Sequence, residues 1–411
     1  MPCSSHPASI SETAEAYLAD ARAQVMHGTE WPIASPSASD HYLAVVGAGT
    51  MGRGIAQAGL AAGCHVTVVD RQPMALERCR REIQASLDKA RARGWLSSSA
   101  SSSRLGRLSL ATNLALLTQA DVVIEAVDED LDLKCRLLAQ LDRQLPPHAL
   151  LVSNTSTLDI DAMGSATRRP GQVLGMHFLT PAHITPLVEV IQGAATSAGA
   201  LARGRQLALR MDKLPVLVRN AWGFIGNRLY EGFLREVDAL QLEGVPAHRI
   251  DSVLEGFGFA LGPCRTLDMS GTDLVSQVIA ARGRHVEQAP AYRRITQRLN
   301  ELGRHGYKTN LGHYRYIDRL PQVDPELAEI CAAEARRLGI LQRPGISDAA
   351  LLERCLIPLF EEGRQVLAEG VARRESDIDL VWVLGYGFPA SRGGPMFYGR
   401  HAAGRIQPAA E

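Results

Sequence analysis

The sequence predicts an α/β fold in which a doubly wound parallel sheet precedes a mostly α-helical C-terminal region. Up to about residue 220, short apolar runs alternate with helical patterns, as in a parallel sheet with helical crossovers. A glycine-rich loop, GAGTMG at residues 47–52, directly follows the first apolar run. From Phe224 onward the apolar spacing is helical, and two stretches of this second half resemble each other.

Each element of the first half follows from a local pattern. Strands are predicted at the apolar runs 42–46, 65–70, 119–127 and 148–154. Helices are predicted at 52–63, 73–93 and 130–144, and Pro73 suits a first helical turn. A short helix is predicted near residues 12–26, because Ser9 and Glu12 have the spacing of a capping box.

Composition excludes several classes of protein. The 411 residues are 46% hydrophobic and carry a formal net charge of zero, so no global field favours nucleic acid or an acidic membrane. No apolar stretch is long enough to span a bilayer, and the N-terminus lacks the pattern of a secretory signal. The seven cysteines include no CxxC pair, which favours free thiols in a reducing, cytoplasmic compartment and no metal site.

The glycine loop has the features of a dinucleotide-binding fingerprint. Gly47 permits a tight turn, Gly49 lets the backbone approach a pyrophosphate, and Gly52 lets helix and strand pack closely. Thr50 and Met51 complete the loop. Asp70 ends the next strand, where its carboxylate can accept the ribose hydroxyls of NAD and repel the 2′-phosphate of NADP.

Two alternatives to this interpretation stay open. The adjacent Arg71 can weaken the preference for NAD over NADP, because a guanidinium attracts the 2′-phosphate. The loop can also be a glycine-rich turn in a Rossmann-type domain that binds another ligand.

These signals divide the chain into five parts. Residues 1–40 are an N-terminal extension and linker, and 41–220 are an NAD-binding Rossmann domain. The first helical domain is 221–316, a linker with some helix is 317–345, and a second helical unit is 346–411. The repeat lies at 242–263 and 367–395, where each copy has Glu-Gly-Val, an Ile-Asp helix start, Gly-aromatic-Gly-Phe and Gly-Pro.

A histidine and a glutamate stand inside the two apolar runs that follow the predicted strand 148–154. His177 lies in LGMHF and Glu189 in PLVEVI, and an antiparallel return would bring the two side chains together. Such a pair makes a positioned base, although a buried His–Glu pair can also be purely structural. Asn154 and Ser156, in SNTST, follow a strand where an open α/β sheet presents ligands.

The chain resembles the L-3-hydroxyacyl-CoA dehydrogenase family. It is similar in particular to the dehydrogenase half of multifunctional fatty-acid oxidation enzymes, without their enoyl-CoA hydratase half. The resemblance covers about residues 42–400 and rests on VVGAGTMGRGIA, VIEAVDEDLDLK, SNTSTLDI, GMHFLTP, PLVEVI, NAWGFIGNRL, EGFGFALGP and GYGFPASRGGPMF.

The resemblance implies a role for four residues in the oxidation of a 3-hydroxyacyl-CoA thioester by NAD. His177 would be the general base and Glu189 would orient it. Ser156 would bind the reacting oxygen, and Asn227 would complete the substrate site. The resemblance also implies fatty-acid β-oxidation chemistry, with the alternatives of a related non-CoA 3-hydroxy substrate or a non-catalytic subunit.

Other positions are implied less directly. Glu129 and Lys134 match family positions near the cofactor and substrate. The basic helix at 71–93 would lie where the family receives coenzyme A, so it either binds CoA phosphates or is a solvated face paired to its own acids. Its basic residues are Arg71, Arg78, Arg80, Arg81, Lys89, Arg91 and Arg93.

The sequence departs from the family pattern at four positions. Trp222 replaces a usual proline, Asn310 a usual glycine, His313 the tryptophan of GWYRY, and Thr180 a usual serine or asparagine. These departures put the preferred acyl chain length in doubt. The second helical unit is expected to pack on the first as an intramolecular pseudo-partner, with a weak homodimer through another surface as a further possibility.

Overall fold

The computed structural model describes residues 10–28, 31–32, 41–273 and 289–402. These residues form two compact units, one of residues 20–224 with 370–373 and one of the remaining segments. The predicted N-terminal helix is α1, Ile10–His27, which lies within the 1–40 extension. The capping box proposed from Ser9 and Glu12 lies outside the described residues.

The first unit contains an eight-stranded, mostly parallel sheet. Its spatial order is β3-β2-β1-β4-β5-β6-β7-β8, and only the β6–β7 pair is antiparallel. The strands are β1 (Tyr42–Val46), β2 (His65–Val69), β3 (Leu108–Ala111), β4 (Val122–Glu125), β5 (Leu150–Ser153), β6 (Val173–Phe178), β7 (Leu187–Gln192) and β8 (Leu214–Arg219).

Helices connect the strands and bury both faces of the sheet, as the alternating pattern predicts. The helices of this unit are α2 (Thr50–Ala61), α3 (Pro73–Ala92), α4 (Ser98–Gly106), α5 (Leu131–Gln144), α6 (Ile160–Ser165) and α7 (Ala198–Arg210). Strands β4, β5 and β6 are buried along their whole length. The predicted Rossmann-type fold is therefore confirmed. In folds of this type, ligands bind beside the carboxyl ends of the parallel strands.

Five elements of this unit were not predicted: α4, β3, α6, α7 and β8. Helix α4 reads SSASSSRLG, and serine is a weak helix former that more often favours turns. Strand β3 has only four residues, and β8 carries Pro215. Proline is tolerated there because β8 lies at the edge of the sheet. An edge strand pairs on one side only, so not every residue has to donate a backbone N–H.

The second unit is mostly helical. Its further helices are α8 (Gly226–Leu242), α9 (Ala247–Phe257), α10 (Pro263–Ser270), α11 (Arg294–Glu301), α12 (Pro325–Leu338), α13 (Asp348–Ala368), α14 (Glu375–Gly385) and α15 (Pro395–Ala402). A hairpin of β9 (Tyr314–Ile317) and β10 (Leu320–Val323) precedes α12, so the expected linker at 317–345 contains regular structure.

Helix α13 of the second copy packs along α8 of the first. Two arginines join them, one from each helix: Arg228 binds Glu362 and Arg354 binds Glu236, each at 2.5 Å. Gly232 of α8 lies against Pro358 of α13, because a Cβ at Gly232 would be in van der Waals contact with the Pro358 Cβ, at 3.4 Å. Along the described segments, no helix is long and apolar enough to cross a membrane.

Candidate active site

The glycine loop between β1 and α2 has the backbone that its sequence predicts. Gly47 has φ +109°, and a Cβ there would lie 2.5 Å from the Ala126 carbonyl oxygen. A Cβ on Gly52 would lie 1.9 Å from the Gly47 oxygen, so helix and loop require glycine at both positions. Around Gly49, no described atom lies within 4 Å of the Cβ position.

The first turn of α2 is therefore approachable by an anion. The helix begins at Thr50 with Gly49 as its N-cap, and no described side chain caps it. Backbone N–H groups at such a terminus bind phosphate, and the helix dipole favours negative charge. Thr50 is exposed and Met51 half-buried beside this turn, so the loop fits the pyrophosphate of a dinucleotide.

Asp70 stands beside the glycine loop at the end of β2. Its two carboxylate oxygens accept backbone N–H bonds from Ala48 and Gln72, each at 2.9 Å. A carboxylate oxygen can accept further hydrogen bonds, so Asp70 retains the capacity to bind ribose hydroxyls. Arg71 is exposed next to it.

His177 and Glu189 are paired directly across β6 and β7. They are register partners in the antiparallel pair, and His177 Nδ1 lies 2.7 Å from Glu189 Oε2. Glu189 is fully buried and the His177 side chain is 7% exposed. With Nδ1 bound to the carboxylate, Nε2 is the ring nitrogen that can take a proton from a substrate. The Phe224 ring lies 6.0 Å from the imidazole.

Asn154 and Ser156 lie at the carboxyl end of β5, as predicted. Asn154 Oδ1 accepts the Phe178 N–H at 3.0 Å, so it ties this loop to the strand that carries His177. Ser156 donates to Glu129 Oε1 twice, from its backbone N–H at 2.7 Å and from Oγ at 2.9 Å. Glu129 thus holds the residue that was expected to bind the reacting oxygen.

Lys134 is buried beneath this loop. Its side chain is 1% exposed, and Nζ donates to the two Glu125 oxygens at 2.8 and 2.9 Å. Nζ also lies 3.3 Å from Glu129 Oε2. The structure therefore places Lys134 inside the domain, between the carboxylates of Glu125 and Glu129.

The charge on Glu129 depends on this lysine. Burial alone would raise the pKa of the Glu129 carboxyl. The attraction of Lys134 and the hydrogen bonds from Thr155 and Ser156 outweigh burial and hold the pKa below its ordinary value. Glu129 is consequently ionised and able to accept several hydrogen bonds at once.

Sequence reasoning missed the buried acid of this cluster. Glu125 is fully buried at the end of β4, where it also accepts from Ser153 Oγ. The signal was present, because Glu125 interrupts the apolar run VVIEAV as Glu189 interrupts LVEVI. A carboxylate inside a strand run requires a buried partner, and Lys134 is that partner.

Asn227 belongs to the helical unit. It is the second residue of α8, and its Oδ1 accepts a hydrogen bond from Tyr386 Oη at 2.9 Å. Two of the departures also lie in this unit. Asn310 has φ +57°, a left-handed conformation that asparagine tolerates better than most residues. His313 is fully buried, and its Nδ1 lies 2.9 Å from Asp268.

The basic helix α3 borders a cavity of about 580 Å³ in the first unit. The cavity is lined in part by Lys89, Arg93 and Arg104. Trp95 also lines it, is 73% exposed, and has the Arg93 guanidinium 4.9 Å from its ring centre. Within α3 itself, Arg91 binds Asp88 at 3.2 Å, so this part of the basic face is paired to its own acid.

Comparison with protein families matches most of the chain. Residues 42–221 match the NAD-binding domain of 3-hydroxyacyl-CoA dehydrogenase, and residues 223–316 match its C-terminal domain. The peroxisomal bifunctional enzyme of Danio rerio is 37% identical over 90% of this chain and 53% of its own length. A peroxisomal fatty acid β-oxidation multifunctional protein of Arabidopsis thaliana is 32% identical over 87% of this chain and 50% of its own.

The chain thus spans about half the length of the curated relatives it matches. Solved structures resemble it as well. The 3-hydroxybutyryl-CoA dehydrogenase of Escherichia coli has a TM-score of 0.75 at 28% identity, covering 89% of this chain and 92% of that one. The dehydrogenase part of multifunctional enzyme 1 from C. elegans has a TM-score of 0.61 at 29% identity, covering 93% and 90%.

Proposed function

Because the chain belongs to the 3-hydroxyacyl-CoA dehydrogenase family and contains its NAD-binding domain, we propose that it interconverts L-3-hydroxyacyl-CoA and 3-ketoacyl-CoA with NAD. The observation that carries the proposal is the 2.7 Å contact between His177 Nδ1 and the buried Glu189. It leaves Nε2 as a base beside the ligand-binding edge of the sheet. The chemistry is that of fatty-acid β-oxidation.

In this proposal the protein positions the reacting groups. His177 Nε2 takes the proton of the 3-hydroxyl, and Glu189 fixes the tautomer and stabilises the imidazolium. Ser156 and Asn227 bind substrate oxygens, and Glu129 holds Ser156 through two hydrogen bonds. When bound, the nicotinamide accepts the hydride from C3. The α2 terminus and Asp70 would hold its pyrophosphate and ribose.

The test is consumption of NADH with acetoacetyl-CoA, followed by absorbance. Turnover that depends on the CoA ester supports the proposal. Equal turnover of acetoacetate and acetoacetyl-CoA would instead favour a dehydrogenase of non-CoA 3-hydroxy acids. Binding of NADH without turnover of either compound would favour a non-catalytic subunit. A series of 3-ketoacyl-CoA substrates from C4 to C16 would then define the preferred chain length.

We further propose that the cavity beside α3 receives the nucleotide end of coenzyme A. Lys89, Arg93 and Arg104 supply positive charge for its phosphates, and the exposed Trp95 offers an aromatic face for adenine. Acetoacetyl-pantetheine, which lacks the nucleotide, should have a higher KM than acetoacetyl-CoA. Trp95→Ala should remove most of that difference, whereas Leu116→Ala, at a similarly exposed apolar residue of the same unit, should not.

The second helical unit is proposed to act as an intramolecular pseudo-partner for the first, as the repeat predicts. The packing of α13 on α8 supports this proposal. The curated relatives are named peroxisomal, so the proposed compartment is the cytoplasm or a peroxisome.

A further inference from the structure

The mostly helical unit contains a cavity of about 210 Å³. All of its lining residues belong to this unit, and none of them is among the residues proposed for catalysis. Much of its wall is apolar, with contributions from Val245, Ala247 and Leu327. The lining residues Ala328 and Gln342 are exposed, so the cavity opens to solvent and a small molecule can enter it.

Two buried polar side chains also line this cavity. Gln241, in α8, and His313, directly before β9, are each 1% exposed. In the part of the chain that the structure describes, Gln241 Oε1 and His313 Nε2 have no hydrogen-bond partner. Nearly all buried polar atoms in folded proteins are hydrogen-bonded. Two exceptions on residues that line one cavity indicate that a ligand supplies the missing partner.

The other polar atom of each side chain is already engaged. Gln241 Nε2 donates to the Val237 carbonyl oxygen at 3.4 Å, which leaves Oε1 as an acceptor. His313 Nδ1 lies 2.9 Å from Asp268 Oδ1. Burial alone would raise the pKa of the Asp268 carboxyl, but the attraction of His313 and the hydrogen bonds from His313 and Tyr314 outweigh burial and lower it. Asp268 is therefore an ionised acceptor, so Nδ1 carries a proton and Nε2 is the nitrogen left for a ligand.

These two atoms and the size of the cavity define the chemistry of the ligand. Gln241 Oε1 accepts a hydrogen bond, whereas His313 Nε2 accepts when the imidazole is neutral and donates when it is protonated. A hydroxyl group fits both states, because it can donate one hydrogen bond and accept others. An apolar cavity of about 150 Å³ holds benzene. The volume of about 210 Å³ is therefore enough for one benzene ring that carries a hydroxyl group.

We propose that this cavity binds a small aromatic compound with a hydroxyl group, such as phenol. The ring packs against the apolar wall, and the hydroxyl bonds Gln241 Oε1 and His313 Nε2. The inference goes beyond the proposed function, because such a site requires neither NAD nor a CoA thioester.

The test is isothermal titration calorimetry of the whole chain with phenol and with toluene, which has the ring but no hydroxyl. Gln241→Met removes the amide oxygen at similar volume and should weaken phenol binding by roughly 3- to 10-fold, the effect of one hydrogen bond. Its affinity for toluene should not fall, because toluene makes no bond to the amide. Phenol should also shift the NMR signal of the His313 Nε2 nitrogen, but not that of His65 in the Rossmann-type unit.

Ala328→Phe and Ala333→Phe are a matched pair of variants. Both alanines are exposed in α12, but only Ala328 lines the cavity. Ala328→Phe narrows the cavity and should abolish phenol binding, whereas Ala333→Phe should retain it.

Three results would overturn the inference. If the wild-type protein does not bind phenol, only water occupies the cavity. If Gln241→Met weakens phenol and toluene binding equally, the amide does not recognise the hydroxyl. If Ala328→Phe binds phenol as the wild type does, the compound binds elsewhere. Each result is a binding measurement, so it is independent of whether the protein turns over acetoacetyl-CoA.

Discussion

Asp379 in α14 repeats the relationship that Asp251 in α9 has to its neighbouring helix. Asp251 accepts two consecutive backbone N–H groups at the start of α10, at 2.9 and 3.1 Å. Asp379 accepts the equivalent pair at the start of α15, at 2.7 and 3.0 Å. Each carboxylate also receives a tyrosine hydroxyl at 2.7 Å, from Tyr314 and Tyr17 respectively. The repeat seen in the sequence therefore duplicates a buried aspartate that caps the N-terminus of the following helix.

The first prediction concerns the two tyrosines that complete these caps. Tyr17→Phe and Tyr314→Phe should each lower the free energy of unfolding by about 1 kcal/mol, because each removes one buried hydrogen bond to a carboxylate. Urea unfolding would measure both. If only Tyr314→Phe lowers the free energy of unfolding, then Tyr17 of α1 does not stabilise the Asp379 cap of α15.

The second prediction concerns the proposed base. His177→Gln should lower kcat by roughly 100-fold or more, the usual contribution of a general base, while NADH still binds. Glu189→Gln should have a smaller effect, since the imidazole stays in place. Steady-state kinetics on variants with unchanged circular dichroism would decide, and near-wild-type turnover by His177→Gln would exclude its role.

The third prediction concerns the choice of cofactor. Asp70→Ala should raise the KM for NADH and reduce discrimination against NADPH, because no carboxylate then repels the 2′-phosphate. Arg71→Ala is the control variant, since it should leave the KM for NADH unchanged. If the wild-type protein already uses both cofactors equally, the interpretation of Asp70 is wrong and Arg71 is the first residue to test.

The fourth prediction concerns pH. The double variant Glu125→Gln/Lys134→Met removes one charge of each sign and leaves Glu129 without its cation, so the pKa of Glu129 should rise. Activity that requires ionised Glu129 is lost as the pH falls through that pKa. The kcat/KM of the variant should therefore decline at a higher pH than that of the wild type. Lys134→Arg keeps the charge, so the pH dependence of its kcat/KM should match that of the wild type. If the wild type, the double variant and Lys134→Arg all show the same pH dependence, Lys134 does not control the pKa of Glu129.

The fifth prediction concerns the second copy. Truncation after residue 345 removes α13 and exposes the face of α8 around Gly232 that it covers. The truncated chain should aggregate or form a new dimer, because an exposed apolar face promotes association. Size-exclusion chromatography with light scattering would measure this. A stable, monomeric product would mean that the second copy does not act as a pseudo-partner.

Sequence patterns predicted the elements that carry strong periodicity or special residues. The glycine loop, Asp70 and the apolar strands lie where expected, because their residue types are dictated by backbone geometry and burial. The His177–Glu189 contact was also predictable, since two polar residues in neighbouring buried runs require each other. The duplicated caps follow from the repeated Ile-Asp and Gly-Pro signals.

Other features depended on contacts between distant residues, which one sequence does not display. The bond between Tyr386 and Asn227 joins residues 159 positions apart. The burial of Lys134 depends on Glu125 in the preceding strand, and without that partner a lysine in a helix is expected to be exposed. Helix α4 was missed because its serine-rich sequence carries no apolar periodicity.

The reversal of direction between β6 and β7 determines which insertions and deletions of residues this region tolerates. The loop between these strands lies outside the ladder, and β7 is held on its other side by six register pairs with β8. Insertions beside the exposed Ile184 of this loop can therefore bulge outward without moving either strand. A one-residue deletion within β7 is different, because side chains alternate between the two faces of a sheet. Such a slip would put Val188 or Val190 opposite His177 and turn Glu189 to the other face.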